Sequence, residues 1–220
     1  MPNILVSPSI LSANYAHLGE DLEELNRASA DWIHCDVMDG LFVPNISFGP
    51  KVIQDIRPYS SLPFDVHLMI MHPLRYVREF AAAGADLLTI HYEACEDASE
   101  IQQTLRAIRS CGKRCGFSLK PNTAIREITP FLDQLDLVLV MSVEPGFGGQ
   151  AFLPGSLEKI EQLKAFREQH GYEYLIEVDG GINLETAPLA RKAGADVLVA
   201  GSAVFRAENK GLRIRQLKGE

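Results

Sequence analysis

Trp32-Ile33-His34-Cys35-Asp36-Val37, followed by Met38-Asp39-Gly40, is the stretch that decides how this chain folds. Side chains alternate faces along a strand with period two. Ile33, Cys35 and Val37 therefore share one face, and His34 and Asp36 share the other. The apolar face suits packing against helices. A histidine and an aspartate two apart on a buried strand are costly unless they are paired or ligating. The stretch thus reads as a strand with helices behind it and chemistry in front.

The same kind of segment recurs along the chain. Candidate strands fall at 4–9, 32–37, 64–69, 87–91, 114–119, 137–142, 174–178 and 197–201. Helical spacing of apolar residues fills the intervals, as in Leu74, Val77 and Phe80. Several helices close on a small-residue turn, such as Ala83-Gly84-Ala85-Asp86 and Ala193-Gly194-Ala195-Asp196. Glycine ends helices well because it reaches left-handed dihedrals without penalty. Strands separated by helices pair in parallel with right-handed crossovers. Eight strand-then-helix units in 220 residues average about 27 residues each, near the short end for a (β/α)8 TIM barrel. An open doubly wound sheet is the alternative; polar residues clustered at the strand C-termini favour the barrel. No linker or composition break divides the chain, so residues 1–220 are expected to form a single domain.

Composition excludes several classes. Hydrophobic content is 46% and charged content 23%, which supports a sizeable core. A net charge of −8 argues against non-specific binding to nucleic acid or to an anionic membrane. No run of about 18 apolar residues suggests a spanning helix. The opening residues do not resemble a signal peptide. Cys35, Cys95, Cys111 and Cys115 form no CxxC pair and are expected to be free thiols, which points to the cytoplasm.

In a barrel of this kind, the C-terminal rim carries the chemistry. There the strands deliver Ser9, His34, Asp36, Met38, Asp65, His67, Met69, His91, Lys120, Met141, Glu177, Asp179 and Ser202. His34, Asp36, His67 and Asp179 make a set of two imidazoles and two carboxylates. Such a set suits one divalent ion, Zn2+, Fe2+, Mn2+ or Co2+; a hydrogen-bonded core network is the plainer alternative. Three glycine-rich turns follow adjacent strands: Gly146-Phe147-Gly148-Gly149, Gly180-Gly181 and Gly201-Ser202. Backbone N–H groups in such turns approach an anion closely, and their grouping suggests a phosphate cup. Met38, Met69 and Met141 fill core gaps or form a flexible apolar wall. Glu177 reads as structural. His91 either bonds to the site or caps its strand, and the context of Lys120 is that of a loop.

Together these blocks resemble the ribulose-phosphate 3-epimerase family. The resemblance is carried by Ser7-Pro8-Ser9-Ile10-Leu11-Ser12-Ala13, by His34-Cys35-Asp36-Val37-Met38-Asp39-Gly40 and by Asp65-Val66-His67-Leu68-Met69. Met141 through Gln150, Glu177 through Ile182 and Ala200-Gly201-Ser202-Ala203 complete it, so that it runs from about Ser7 to Phe205. It implies a metal-dependent barrel enzyme that interconverts D-ribulose 5-phosphate and D-xylulose 5-phosphate, usually as a homo-oligomer, dimer or hexamer. It also implies metal ligands at His34, Asp36, His67 and Asp179, with Asp36 and Asp179 as the acid/base pair. Substrate contacts are implied at Ser9, His67, Met38, Met69, Met141, Gly146, Phe147, Gly148, Gly149, Asp179, Gly180, Gly181, Gly201 and Ser202.

The chemistry matches those residue types. Inverting C3 of a 2-ketose removes a proton beside the carbonyl and returns one to the opposite face, which two carboxylates on different strands can do. An allulose-6-phosphate 3-epimerase is the nearest rival. A lysine-centred lyase or decarboxylase and a non-catalytic sugar-phosphate sensor are more distant ones.

Overall fold

The computed structural model describes residues 4–220. Eight strands form it: β1 (Leu5–Ser7), β2 (Ile33–Met38), β3 (Phe64–Met69), β4 (Leu87–His91), β5 (Arg114–Leu119), β6 (Leu137–Met141), β7 (Leu175–Asp179) and β8 (Val197–Val199). All pairings are parallel, and the order β1-β8-β7-β6-β5-β4-β3-β2 runs round a ring. The last seam is joined by a parallel bridge between Ser9 and His34, with His34 N–H donating to Pro8 O at 3.0 Å. This is the TIM barrel expected from the alternation, and strand ends shift by one or two residues at most.

The helices are α1 (Leu18–Arg27), α2 (Pro50–Ile56), α3 (Val77–Ala83), α4 (Ala98–Ser110), α5 (Gly155–His170), α6 (Ala187–Ala193), α7 (Ser202–Phe205) and α8 (Lys210–Lys218). The fifth unit departs from the expected pattern. After β5 the chain makes two 3-10 helices, Ile125–Glu127 and Thr129–Gln134, and no α-helix. Pro130 falls at the start of the second and separates it from the first: it lacks an N–H, and its ring disfavours α dihedrals in the residue before it. Ile125, Ile128, Phe131 and Leu132 are still buried, so the segment covers the barrel as a helix would.

Alternation along the strands separates two interiors. Ile33, Cys35 and Val37 pack with helix residues such as Leu22, Leu25 and Ile53 in the layer outside the barrel. Trp32, Leu87, Leu137, Leu139 and Val197 form an apolar floor inside it. Above that floor the interior becomes polar: His34, Asp65, His67, Thr89, Ser118 and Glu177 are all buried. The register sets His34 beside Asp65 and Asp36 beside His67. All four cysteines are free. Among the described residues no helix is long and apolar enough to cross a membrane.

Candidate active site

The polar layer leads up to a cavity of about 280 Å³ at the strand C-termini. Asp36 ends the polar face of β2, and Asp179 ends β7, with β1 and β8 between them. Both border the cavity. Asp36 Oδ1 lies 3.2 Å from His34 Nε2 and 3.0 Å from His67 Nδ1. Its other oxygen, Oδ2, accepts from Ser9 Oγ at 2.5 Å. One ligand atom from each of His34, Asp36, His67 and Asp179 lies within 4.8 Å of all the others.

These residues fit a divalent ion. Bonds of about 2.1 Å put cis ligand atoms about 3 Å apart, close to the two Asp36 separations. The far nitrogens of the histidines are occupied. His34 Nδ1 lies 2.6 Å from Asp65 Oδ2. His67 Nε2 lies 2.8 Å from His91 Nε2, and His91 Nδ1 lies 3.3 Å from Glu93 Oε2. Partners of this kind select the tautomer of a ligating histidine and hold its ring. They leave His34 Nε2 and His67 Nδ1 facing the shared space.

The electrostatics separate the carboxylates. Burial opposes ionisation of Asp36, but the His34 charge and bonds from His34 and His67 outweigh it and hold the group far below the usual range. Burial, followed by the charge of Asp36, raises Asp179 to about 7. Burial also works against the charge on His34, yet Asp36 and Asp65 push its pKa well above the ordinary value. His67 is lowered by burial. Deeper in the barrel, Asp65 Oδ1 and both Glu177 oxygens face no hydrogen-bond donor. Burial and the nearby charge of Asp65 push Glu177 well above the carboxylate range.

Ser9, Met38, Met69, Met141, Gly146, Phe147, Gly148, Gly149, Gly180, Gly181, Gly201 and Ser202 also line the cavity. Close approach makes two of the glycines necessary. Gly181 has φ +65°, and a Cβ there would meet Phe152 N at 2.5 Å. Gly180 has φ +120°, and a Cβ would meet Val143 N at 2.8 Å. His34 and His67 are fully buried and do not border the cavity, so the structure brings no open wall of His67 to a substrate. His91 bonds to the site rather than capping a strand. Lys120 belongs to the loop: its N–H donates to Glu93, and its Nζ lies 4.2 Å above the Phe42 ring. Ser12, Asn183, Arg206 and Arg213 border the cavity although strand-end reasoning did not select them. The arginines arrive from beyond β8, where no strand parity applies.

Fold and site together define a TIM-barrel enzyme with its chemistry at the C-terminal rim. Residues 5–205 match the model of the ribulose-phosphate 3 epimerase family. The chain is 48% identical over 217 residues to ribulose-phosphate 3-epimerase of Bacillus subtilis, covering 98% of this chain and 99% of that one. It is 48% identical over 218 residues to the chloroplastic ribulose-5-phosphate-3-epimerase of Arabidopsis thaliana, covering 98% of this chain and 76% of the plant protein. Among solved structures, KGPDC from Streptococcus mutans superposes with a TM-score of 0.72 at 15% identity, covering 100% of this chain and 96% of that one. At that identity the likeness concerns the fold alone. This chain belongs to the ribulose-phosphate 3-epimerase family and is an epimerase of the isomerase class.

Proposed function

We propose that this protein is a metal-dependent epimerase that interconverts D-ribulose 5-phosphate and D-xylulose 5-phosphate through an enediolate. Residues 1–220 act as one catalytic domain in this reading. The observation that carries it is the pair Asp36 and Asp179, which border one cavity from different strands, with the carboxyl of Asp36 pulled far down by His34 and His67 and that of Asp179 pushed up to about 7 by burial.

Asp36, ionised, takes the C3 proton from one face of the ketose. Asp179, protonated, returns one to the other face, and the roles exchange in the reverse direction. Ser9 keeps Asp36 oriented by bonding Oδ2. Bound by His34, Asp36, His67 and Asp179, a divalent ion (Zn2+, Fe2+, Mn2+ or Co2+) would polarise the C2 carbonyl and stabilise developing negative charge. Met38, Met69 and Met141 form an apolar wall that limits water at the reacting carbon. The Gly146–Gly149, Gly180-Gly181 and Gly201-Ser202 turns bind the phosphate, and its binding energy fixes C3 between the acids. Cytoplasmic location rests on the free cysteines. Assembly as a homo-oligomer, dimer or hexamer, rests on the family resemblance.

The test is turnover of ribulose 5-phosphate against allulose 6-phosphate, before and after treatment with a chelator. Preference for the pentulose, lost on chelation and restored by a divalent ion, is expected. Turnover that survives complete metal removal would overturn the metal-dependent reading. Preference for the hexulose would move the substrate assignment to the rival.

A further inference from the structure

In the reading above the phosphate meets glycine-rich turns that offer backbone amides, in a protein whose net charge is −8. A dianion entering it works against the overall field. Two arginines border the same space, Arg206 just after α7 and Arg213 on α8. Arg206 is exposed, whereas Arg213 is half-buried.

Helix α8 holds Arg213 in place. Asn209 caps it by accepting from Leu212 N–H at 2.8 Å, and Ile214 and Leu217 are fully buried. Lys210 anchors it to Asp21 and Glu24 of α1, and Lys218 to Asp31. Those lysines have carboxylate partners; among the described residues Arg213 and Arg206 are in no ion pair. Arg213 Nη1 donates to Ala203 O at 3.0 Å, and its Nε is buried with no partner. A guanidinium has five N–H donors in a fixed fork that matches phosphate. One is used here, and the side chain stands beside the Gly201-Ser202 turn. An unpaired, anchored cation at the anion end of a substrate cavity has a direct use.

We propose that Arg213 is a substrate-binding residue for the phosphate group, adding a side-chain charge to the backbone cup. The inference rests on the sugar-phosphate reading above. The alternative is purely structural: Arg213 only ties α8 to the Ala203 carbonyl.

Arg213→Gln keeps a donor for Ala203 O and removes the charge; Arg213→Lys keeps the charge. Both are compared with the wild type by steady-state kinetics on ribulose 5-phosphate, competitive inhibition by inorganic phosphate and thermal unfolding. The Gln variant is expected to lower kcat/KM, and to raise the inhibition constant of phosphate, on the order of tenfold without lowering the melting temperature. The Lys variant should recover most of the loss. An unchanged kcat/KM and inhibition constant in Arg213→Gln would overturn the assignment, as would a fall in kcat/KM and melting temperature that Lys fails to rescue. A wild type that turns over no ketose phosphate would bring down the functional reading itself, and this assignment with it.

Discussion

His34 Nδ1 lies 2.6 Å from Asp65 Oδ2, with both side chains fully buried. The adjacent register of β2 and β3 creates this pair, and it commits the other imidazole nitrogen to the side of Asp36. Asp65 therefore orients a proposed metal ligand without facing the cavity. Asp65→Asn leaves the residue's volume nearly unchanged but weakens that hold. Divalent metal affinity, measured by competition with a chromophoric chelator, should fall by about 10–100-fold. Affinity within twofold of wild type would show that Asp65 has no part in positioning His34.

Glu93 yields a pH prediction away from the cavity. Burial disfavours its charge, but bonds from His91, Thr123 and the Lys120 N–H outweigh that and lower its pKa from 4.5 to about 2. Between those values the unfolded chain binds the proton more readily. Stability contributed by Glu93 is thus present in full above about pH 4.5 and is lost as pH falls towards 2. The contribution is at most about 3 kcal/mol. Glu93→Gln should flatten the dependence of urea unfolding free energy on pH in this window. Parallel curves for variant and wild type would refute the coupling.

Gly116 and Thr89 face each other on β5 and β4 inside the barrel. A Cβ on Gly116 would lie 2.0 Å from Thr89 Oγ1 and 2.9 Å from Thr89 Cβ. Gly116→Ala overpacks the interior, which typically costs about 1–3 kcal/mol. A fall in melting temperature of roughly 2–12 °C is expected for a chain of this size. Adding Thr89→Ala removes Oγ1, which has no hydrogen-bond partner, and should restore part of the loss. The restoration stays partial because Thr89 Cβ and Cα remain close. Additive losses in the double variant would contradict this packing.

What the sequence made legible follows from where periodicity applies. Strand parity put His34 and Asp36 on one face and Cys35 on the other, and the barrel keeps that division. Parity does not report register. Asp65 stood out as a polar strand residue, but its bond to His34 depends on how β2 meets β3. His91 was ambiguous for the same reason: its contact with His67 joins neighbouring strands. The fifth unit keeps helical apolar spacing, although it forms two short 3-10 helices divided at Pro130. Arg213 had no local signal at all. An arginine on a short polar helix looks like surface until α8 folds back over the loop after β8.

The two cavity carboxylates separate the chemical step from binding. Asp36→Asn and Asp179→Asn each remove one proton-transfer group, and they remove different ones. If C3 is inverted by transfer at opposite faces, neither variant should epimerise, and kcat should fall by at least about 100-fold in each. Exchange of the C3 hydrogen with solvent deuterium distinguishes them further. It reads proton removal alone, so each variant should lose exchange from the ketose whose C3 proton its missing carboxylate takes. With Asp36 as base towards ribulose 5-phosphate, Asp36→Asn should block exchange from that substrate, and Asp179→Asn should block it from xylulose 5-phosphate. Both substitutions also remove a ligand oxygen, so metal content is measured alongside and saturated before the assay. Near-normal exchange of both ketoses in either variant would reduce the mechanism to a single base.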